Sequence, residues 1–474
     1  MSAAPRRRAR IALAGILLAG WALPGACGDD LPAFRALYEE LVETDTTLSS
    51  GNCTAAAEKM AAHLRSAGLP ESDVRVIVAP DHPKEGSLVA VLRAPRGASG
   101  KGVLLIAHLD VVEARREDWT RDPFELVEEG GYFHARGTAD DKAMAAIWVD
   151  SLVRLHRERF QPLRDIKVAL TCGEETLEAF DGLQYLVEQH RDLIDADLAL
   201  NEGGLFMLDP QGRRVMMGIH VGEKTPRDFR LEVLNEGGHS ARPVKDNAIY
   251  RLAAGLTRLG QHEFPLQLNE TTRAFFVRVA DIHGGEGGRA MKALVANPAD
   301  AAAARSVTAN PTWNAALRTT CVATMLDAGH ATNALPQRAR ANVNCRIFPG
   351  ATVEDVRRTL EQVVADPAIA VTAMPSRMPL AVPPVLTPAI LQPLEELAAA
   401  HYPGVPLVPA QGSGYTDAPF LNAVGIPTFG LGLFVDPDFG HIHAANERIR
   451  VQSVYEGRDF LHALVKRYAS SPGP

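Results

Sequence analysis

The 474-residue sequence is poor in aromatic side chains, at 6%, and holds only five cysteines. A chain of this length buries enough apolar surface to need no disulfide for stability. It also lacks an excess of positive charge. Lysine and arginine number 49 against 57 acidic residues, a net −8. Such a surface does not favour nucleic acid, whose binding rests on neutralising phosphates. Only one apolar run, close to the start, approaches membrane-spanning length, which excludes a multispan membrane protein. Several common site signatures are missing. There is no HExxH, and Gln411-Gly412-Ser413-Gly414 has the wrong frame for GxSxG. Gly97–Lys101 lacks the spacing and the following Ser or Thr of a Walker A loop, and no GxGxxG follows the first strand. The common helical zinc-protease site, serine hydrolysis of the usual kind, phosphoryl transfer and nicotinamide binding all lose support. What remains is ordinary globular usage, 46% hydrophobic and 22% charged. Disordered chains, coiled-coil rods and collagen-like fibres are excluded. At about 100–200 residues per domain, the length suits two to four domains or one large domain with an insertion.

The N-terminus reads as an address. Arg6, Arg7, Arg8 and Arg10 precede the apolar run Ile11–Leu23, and Pro24-Gly25-Ala26-Cys27 breaks it with small residues. This predicts a signal peptide over residues 1–26 and an exported protein, periplasmic or secreted. A membrane anchor or a misplaced start is the competing reading. Cys27 at the exit suggests a lipid anchor, but Pro24 stands where leucine is usual three positions earlier. Cys53, Cys172, Cys321 and Cys345 remain, and four cysteines allow three complete pairings. No particular disulfide is expected, and Cys172 reads as a small buried side chain.

Gly102–Val112, Ile166–Thr171, Ala196–Leu200 and Ile426–Leu433 are apolar runs of buried parallel-strand type. Helical spacing appears over Asp140–Phe160, Leu177–His190 and Asn247–Leu259. The pattern predicts an α/β fold with a mostly parallel central sheet covered by helices. In the middle, Phe229–Leu234, Thr319–Met325, Ala339–Phe348 and Ala368–Met374 read as strands, with a helix capped by Thr352 and running to Val364. An inserted α+β unit is therefore expected over residues 222–375. It divides a larger domain into residues 30–221 and 376–474.

Polar groups follow the apolar strands. His108 and Asp110 close the first as H-x-D, Asp140 and Asp141 enter a helix, and Glu174-Glu175 follow the second. Glu202 follows the next strand, and His443 lies near the C-terminus. Ligands of open α/β sheets bind at the carboxyl ends of strands, so these five segments converge there. Each feature alone has a plain structural reading, as a helix cap, a solvated turn or a surface histidine. Together, buried carboxylates and histidines repel and desolvate unless a cation compensates them. Imidazole and carboxylate donors suit zinc, with cobalt or manganese less exclusively. In H-x-D both side chains point the same way, so the aspartate can fix the histidine tautomer. One of two consecutive glutamates can bind metal while its neighbour acts as general base on water. From the residues alone, Asp140 and Asp141 are both candidates for a bridging carboxylate, as are His441 and His443 for the late ligand.

The segments AHLDVV, RGTADDKAM, CGEET, NEGG and HIHAANERI, with GGHSARP in the inserted unit, resemble the M20 family of metallopeptidases, from about Phe34 to Tyr468. That family includes glutamate carboxypeptidase, aminoacylase, carnosinase and carboxypeptidase S. The resemblance implies a catalytic domain for two zinc ions and an inserted lid or dimerisation domain. It implies two zinc ions per chain bridged by Asp140, one also held by His108 and Glu202, the other by Glu175 and His443. Asp110 would orient His108, and Glu174 would be the general base and later acid. The position two before Lys142 selects Asp140, and the spacing to Asn446-Glu447 selects His443. His239 is similar to the lid histidine that reaches a neighbouring subunit's site and stabilises the oxyanion. Asn333 and Arg346 resemble lid positions that grip a substrate carboxylate, a task suited to arginine. Gly414, within Gly412–Asp417, resembles a glycine-rich loop beside the site. A homodimer through the lid is the family's arrangement, although His262–Asn314 is longer than a minimal lid needs.

The expectation is an exported zinc-dependent hydrolase of an amide bond to an amino acid, acting on a small peptide as a carboxypeptidase or dipeptidase. An N-acyl amino acid hydrolase of aminoacylase type is the alternative, since lid side chains shape the pocket. A periplasmic solute-binding protein shares export and two lobes but has no use for Glu174 beside five ligands. Nor does an inactive metal-binding relative explain an intact Glu174.

Overall fold

Four apolar runs too short and too apolar for surface helices form the spine of a nine-stranded sheet. The computed structural model describes residues 30–95, 100–176 and 179–471. The expected signal peptide and Cys27 lie outside them, as does the start of the helix expected from Leu177, which is described from Gly182 to Gln189. Across the sheet the order is Val74–Ala79, His82–Leu92, Ile166–Thr171, Val103–His108, Leu198–Asn201, Thr428–Gly430, Arg214–Glu223 and Leu407–Gly412. Leu205–Leu208 pairs beside Arg214–Glu223. The four strands from Ile166–Thr171 to Thr428–Gly430 are mutually parallel, and antiparallel strands flank them. All residues of Val103–His108 and Ile166–Thr171 are buried, as strands covered on both faces must be. The helix Lys142–Arg157 packs against this centre, where the indole of the buried Trp148 donates to the carbonyl of Ile106 at 2.9 Å.

The inserted unit is a four-stranded antiparallel sheet, ordered Thr320–Ala328, Arg338–Ile347, Thr225–Leu234, Ile369–Ala373. Along Arg338–Ile347, Ala339, Ala341, Val343, Cys345 and Ile347 alternate inward. They pack with Leu252 and Leu360 of the helices Ala248–Gln261 and Val353–Val364. Thr352 caps the second helix in a capping box with Asp355. The period of two sends Asn342, Asn344 and Arg346 to the opposite, open face.

Residues 262–317 depart from the expected lid. The four helices between Glu270 and Ala316 turn back to the larger domain. Phe276, Met291, Leu294 and Val307 form a core there with Met216 and Val408 of the large sheet's edge.

The cysteine pairing, left open by the sequence, is set by the fold. Cys53 pairs with Cys172 and Cys321 with Cys345. Cys321 and Cys345 are direct cross-strand partners, and Cys53 begins the helix Cys53–Ser66, which packs on the strands Val74–Ala79 and His82–Leu92. Cys172 is buried, as expected, but as half of a bridge.

Candidate metal centre and active site

The carboxyl ends of the parallel strands gather the polar segments. His108 is the last residue of its strand, Glu174 and Glu175 lie just past Ile166–Thr171, and Asp140 lies in the loop before Lys142. His443 comes from a loop on the far side of the molecule's sequence, between Phe439 and Asn446. Asp140 is the junction. Its Oδ1 lies 3.1 Å from His108 Nε2, and its Oδ2 lies 3.1 Å from His443 Nε2. His443 Nε2 also lies 3.0 Å from Glu175 Oε2. Donor atoms of Asp140, Glu175 and His443 fall within 4.8 Å of one another, and so do those of His108, Glu174 and Glu175.

The electrostatics match this crowding. Burial opposes the imidazolium of His108, yet its hydrogen bond to Asp140 and the charges of Glu174, Asp140 and Asp110 hold its pKa well above the usual value. Hydrogen bonds to Asp140 and Glu175 push His443 up to about 10. Burial raises Glu174 well above the carboxylate range, with the acids around it adding to the effect against His108. Burial and nearby acids, Asp141 and Asp140 first, raise Glu202 in the same way. A carboxylate cluster that pulls protons this strongly onto its histidines is one that divalent cations neutralise in their place. The donor set, two imidazoles with carboxylates, fits zinc.

Other expected positions resolve individually. Asp140, not Asp141, lies between the two histidines. His441 is half exposed and pairs with Asp438 at 3.4 Å, away from the junction. Asp110 acts differently from the expectation. The ring Nδ1 of His108 donates to the Asp110 carbonyl at 2.9 Å, while the carboxylate Oδ1 stays 3.8 Å away. Asp110 Oδ2 instead accepts the amide of Glu175 at 3.0 Å, so it holds the glutamate loop. Glu202 belongs to neither close donor set, although its charge is felt by the same cluster.

The substrate-side positions lie on the lid. His239 pairs with Ala334 across a two-residue ladder, and the amide of Ser240 donates to the Asn333 carbonyl at 3.0 Å. Both His239 and Asn333 are exposed at this ladder rather than folded against the chain's own junction. Arg346 is half-buried on the open face of the lid sheet. Burial lowers its pKa, with Asp228 and Glu223 as the nearby acids, and among the described residues it forms no ion pair. Gly414 faces open space, and a side chain there would meet nothing. The glycine that the loop requires is Gly412, where a Cβ would lie 2.5 Å from His220 Nε2.

Several participants went unread. The buried Glu223 accepts both the amide and the hydroxyl of Thr416 at 2.9 Å, anchoring the Gly412–Asp417 loop. The buried pair Arg136 and Glu447 supports the Asp140 loop. Their signals were in plain view, as an arginine directly before Gly137-Thr138-Ala139-Asp140 and a glutamate ending the late histidine segment.

Residues 104–467 match the profile of "Peptidase family M20/M25/M40". The chain belongs to that family. It is therefore a hydrolase of peptide or amide bonds. This M20 chain is 31% identical to the human N-fatty-acyl-amino acid synthase/hydrolase PM20D1, over 78% of this chain and 75% of that protein. It is 26% identical to a probable carboxypeptidase S-like 2 of Dictyostelium discoideum, over 77% and 71%. Its fold matches an M20 family metallo-carboxypeptidase of Sulfolobus solfataricus with a TM-score of 0.70 at 18% identity, covering 92% and 99%. The M20 fold thus accounts for the mixed α/β sheet and its inserted unit.

Proposed function

We propose that the chain is an exported, two-zinc hydrolase of N-acyl amino acids. Its expected cut is the amide bond that joins an acyl group to an amino acid bearing a free carboxylate. The observation that carries this reading is Asp140, whose two oxygens each meet a different histidine beside the buried Glu174. Asp140 would bridge two ions, His443 and Glu175 completing one side, His108 and Glu202 the other. Cobalt and manganese would substitute for zinc. Ions held there supply Lewis acidity toward a water and the scissile carbonyl.

Glu174 takes the water's proton and returns it to the leaving amine, which is work for a carboxyl raised toward neutrality by burial. Arg346, without an ion pair among the described residues, receives the substrate carboxylate through its planar fork. Asn333 sits beside His239 at the lid's short ladder, and His239 supplies an oxyanion donor to the partner subunit's site. The homodimer this needs is supported by the lid's edge strand Thr320–Ala328, which exposes Val322, Met325 and Leu326. Export is supported by the basic-then-apolar N-terminus and by two disulfides, which persist in oxidising compartments. The PM20D1 relative favours acyl amino acids, and the carboxypeptidase S-like relative favours a second reading, removal of a C-terminal residue from small peptides.

The test is zinc content of the purified chain, with hydrolysis of a panel of N-acyl amino acids and dipeptides, for wild type and Glu174→Gln. Two zinc per chain, cleavage of acyl amino acids, and a variant that keeps metal but loses turnover by at least about 10²-fold are expected. Cleavage of peptides alone selects the second reading. Failure to bind zinc after reconstitution overturns the metal reading.

A further inference from the structure

The segment His443-Ala444-Ala445-Asn446-Glu447 ends in a residue that the chemistry above leaves unused. Glu447 is fully buried. Its Oε1 accepts the amides of Ala139 at 2.8 Å and Asp140 at 3.2 Å. Its Oε2 accepts the amide of Gly137 at 3.1 Å and Nη1 of Arg136 at 2.7 Å. Arg136 is buried too. Its Nη2 donates to the carbonyl of Ala444 at 3.0 Å, and its guanidinium lies over the ring of Trp119. A single buried ion pair therefore holds the peptide of Asp140 on one side and the residue next to His443 on the other.

Both loops need such a hold. In the late loop Phe439, His441, His443 and Asn446 all have left-handed backbones, with φ between 54° and 62°. Residues with a side chain rarely stay there unless their surroundings impose it. Asn446 is tied by the amide and hydroxyl of Thr120, at 3.0 and 2.7 Å. Arg136 ties Ala444. In the early loop, three amides of residues 137–140 converge on one carboxylate, and a buried amide without an acceptor is costly.

We propose that Glu447 and Arg136 are positioning residues of the metal centre. They set the spacing between the Asp140 carboxylate and the His443 imidazole, and thereby the affinity of the ion held between them. This rests on the two-zinc reading above. Neither residue touches substrate or ion. Glu447→Gln keeps the volume but turns an amide NH2 toward groups that are all donors.

The experiment strips the full purified chain with a chelator. It then titrates Zn2+ against a chromophoric competitor, alongside thermal unfolding of the metal-free forms. Wild type is expected to bind two ions. Glu447→Gln is expected to keep one affinity and weaken the other by about 10–100-fold, the range for groups that orient ligands. Arg136→Lys keeps the charge but loses the planar fork whose two nitrogens span Glu447 and Ala444, and is expected to weaken the same ion by about tenfold. It carries the test if Glu447→Gln does not fold. Wild-type affinities in Arg136→Lys and in a folded Glu447→Gln overturn the proposal, even if melting temperatures fall, because the pair then serves only the fold. A wild type that binds no zinc overturns the two-zinc reading and this proposal with it. A wild type that binds two, beside variants that bind as tightly, overturns this proposal alone.

Discussion

Removing the disulfide between Cys53 and Cys172 should cost both stability and turnover, and the two costs have separate origins. The bridge spans 119 residues, against 24 for Cys321–Cys345. Loop-closure entropy then gives about 5 kcal/mol for the first and about 3.5 kcal/mol for the second. The catalytic cost arises because Cys172 leads directly into Gly173-Glu174-Glu175. Gly173 turns sharply there, at φ +106°, and a Cβ would overlap the Phe180 carbonyl. The carbonyl of Cys172 accepts the amide of Gly182 at 2.7 Å. Glu174 thus hangs from a short turn whose root is fastened to the helix beginning at Cys53. A misplacement of about 1 Å at a reacting group costs about 10²-fold in rate. The assay compares C53A/C172A with C321A/C345A by urea unfolding and by kcat on the best substrate at 25 °C, both proteins loaded with zinc. The first should lose more stability and fall about 10–100-fold in kcat. The second should lose less stability and keep kcat within a few-fold. If C53A/C172A turns over at the wild-type rate, the claim that the bridge places Glu174 is wrong. If the stability order reverses, loop length does not govern these bridges.

Arg346→Ala should raise KM by about 10–100-fold, the worth of a charge-assisted hydrogen bond, with kcat changing less, and Arg346→Lys should recover only part. Steady-state kinetics on the same substrate decides it, and an unchanged KM removes Arg346 from the carboxylate site. Glu223 gives a pH signature. Burial pushes its carboxyl up to about 8, so between the ordinary value near 4.5 and about 8 the folded state holds more protons than the unfolded. Its contribution is fully present below that window and is lost as pH rises through it. Glu223→Gln should therefore gain stability relative to wild type between pH 5 and about 8.5, as read from paired unfolding curves. A difference that is flat with pH would refute the assignment. Charge on the lid edge tests the proposed dimer. Met325→Lys with Leu326→Glu is expected to convert a sedimenting dimer to a monomer, and a wild type that is already monomeric refutes the dimer.

The positions of the strand-end acids and of His108 were legible because each is local to a strong signal. His108, Glu174 and Glu202 stand at the ends of short apolar runs whose burial the sequence itself announces. What the sequence could not announce was relation. The partner of Glu447 is Arg136, 311 residues away, and neither residue looks unusual until the two loops meet. Cys321 and Cys345 face each other only once the register of two strands is set. The amphipathic spacing of Phe276, Met291 and Leu294 declares helices, but not that Met216 and Val408 of the large sheet are what they cover. The roles within H-x-D were exchanged for the same reason. The backbone carbonyl of Asp110 accepts from the histidine ring while Oδ2 of its carboxylate accepts the amide of Glu175, a contact between two strand ends. The same distinction divides the glycines of the loop. Gly412 must be small because His220 stands against it, whereas Gly414, equally prominent in the sequence, meets nothing. Candidate donors are therefore written at strand ends and in the loops beside them. The stiffness we propose for those donors is written in pairs far apart in the chain, and Glu447 and Arg136 put it to the test.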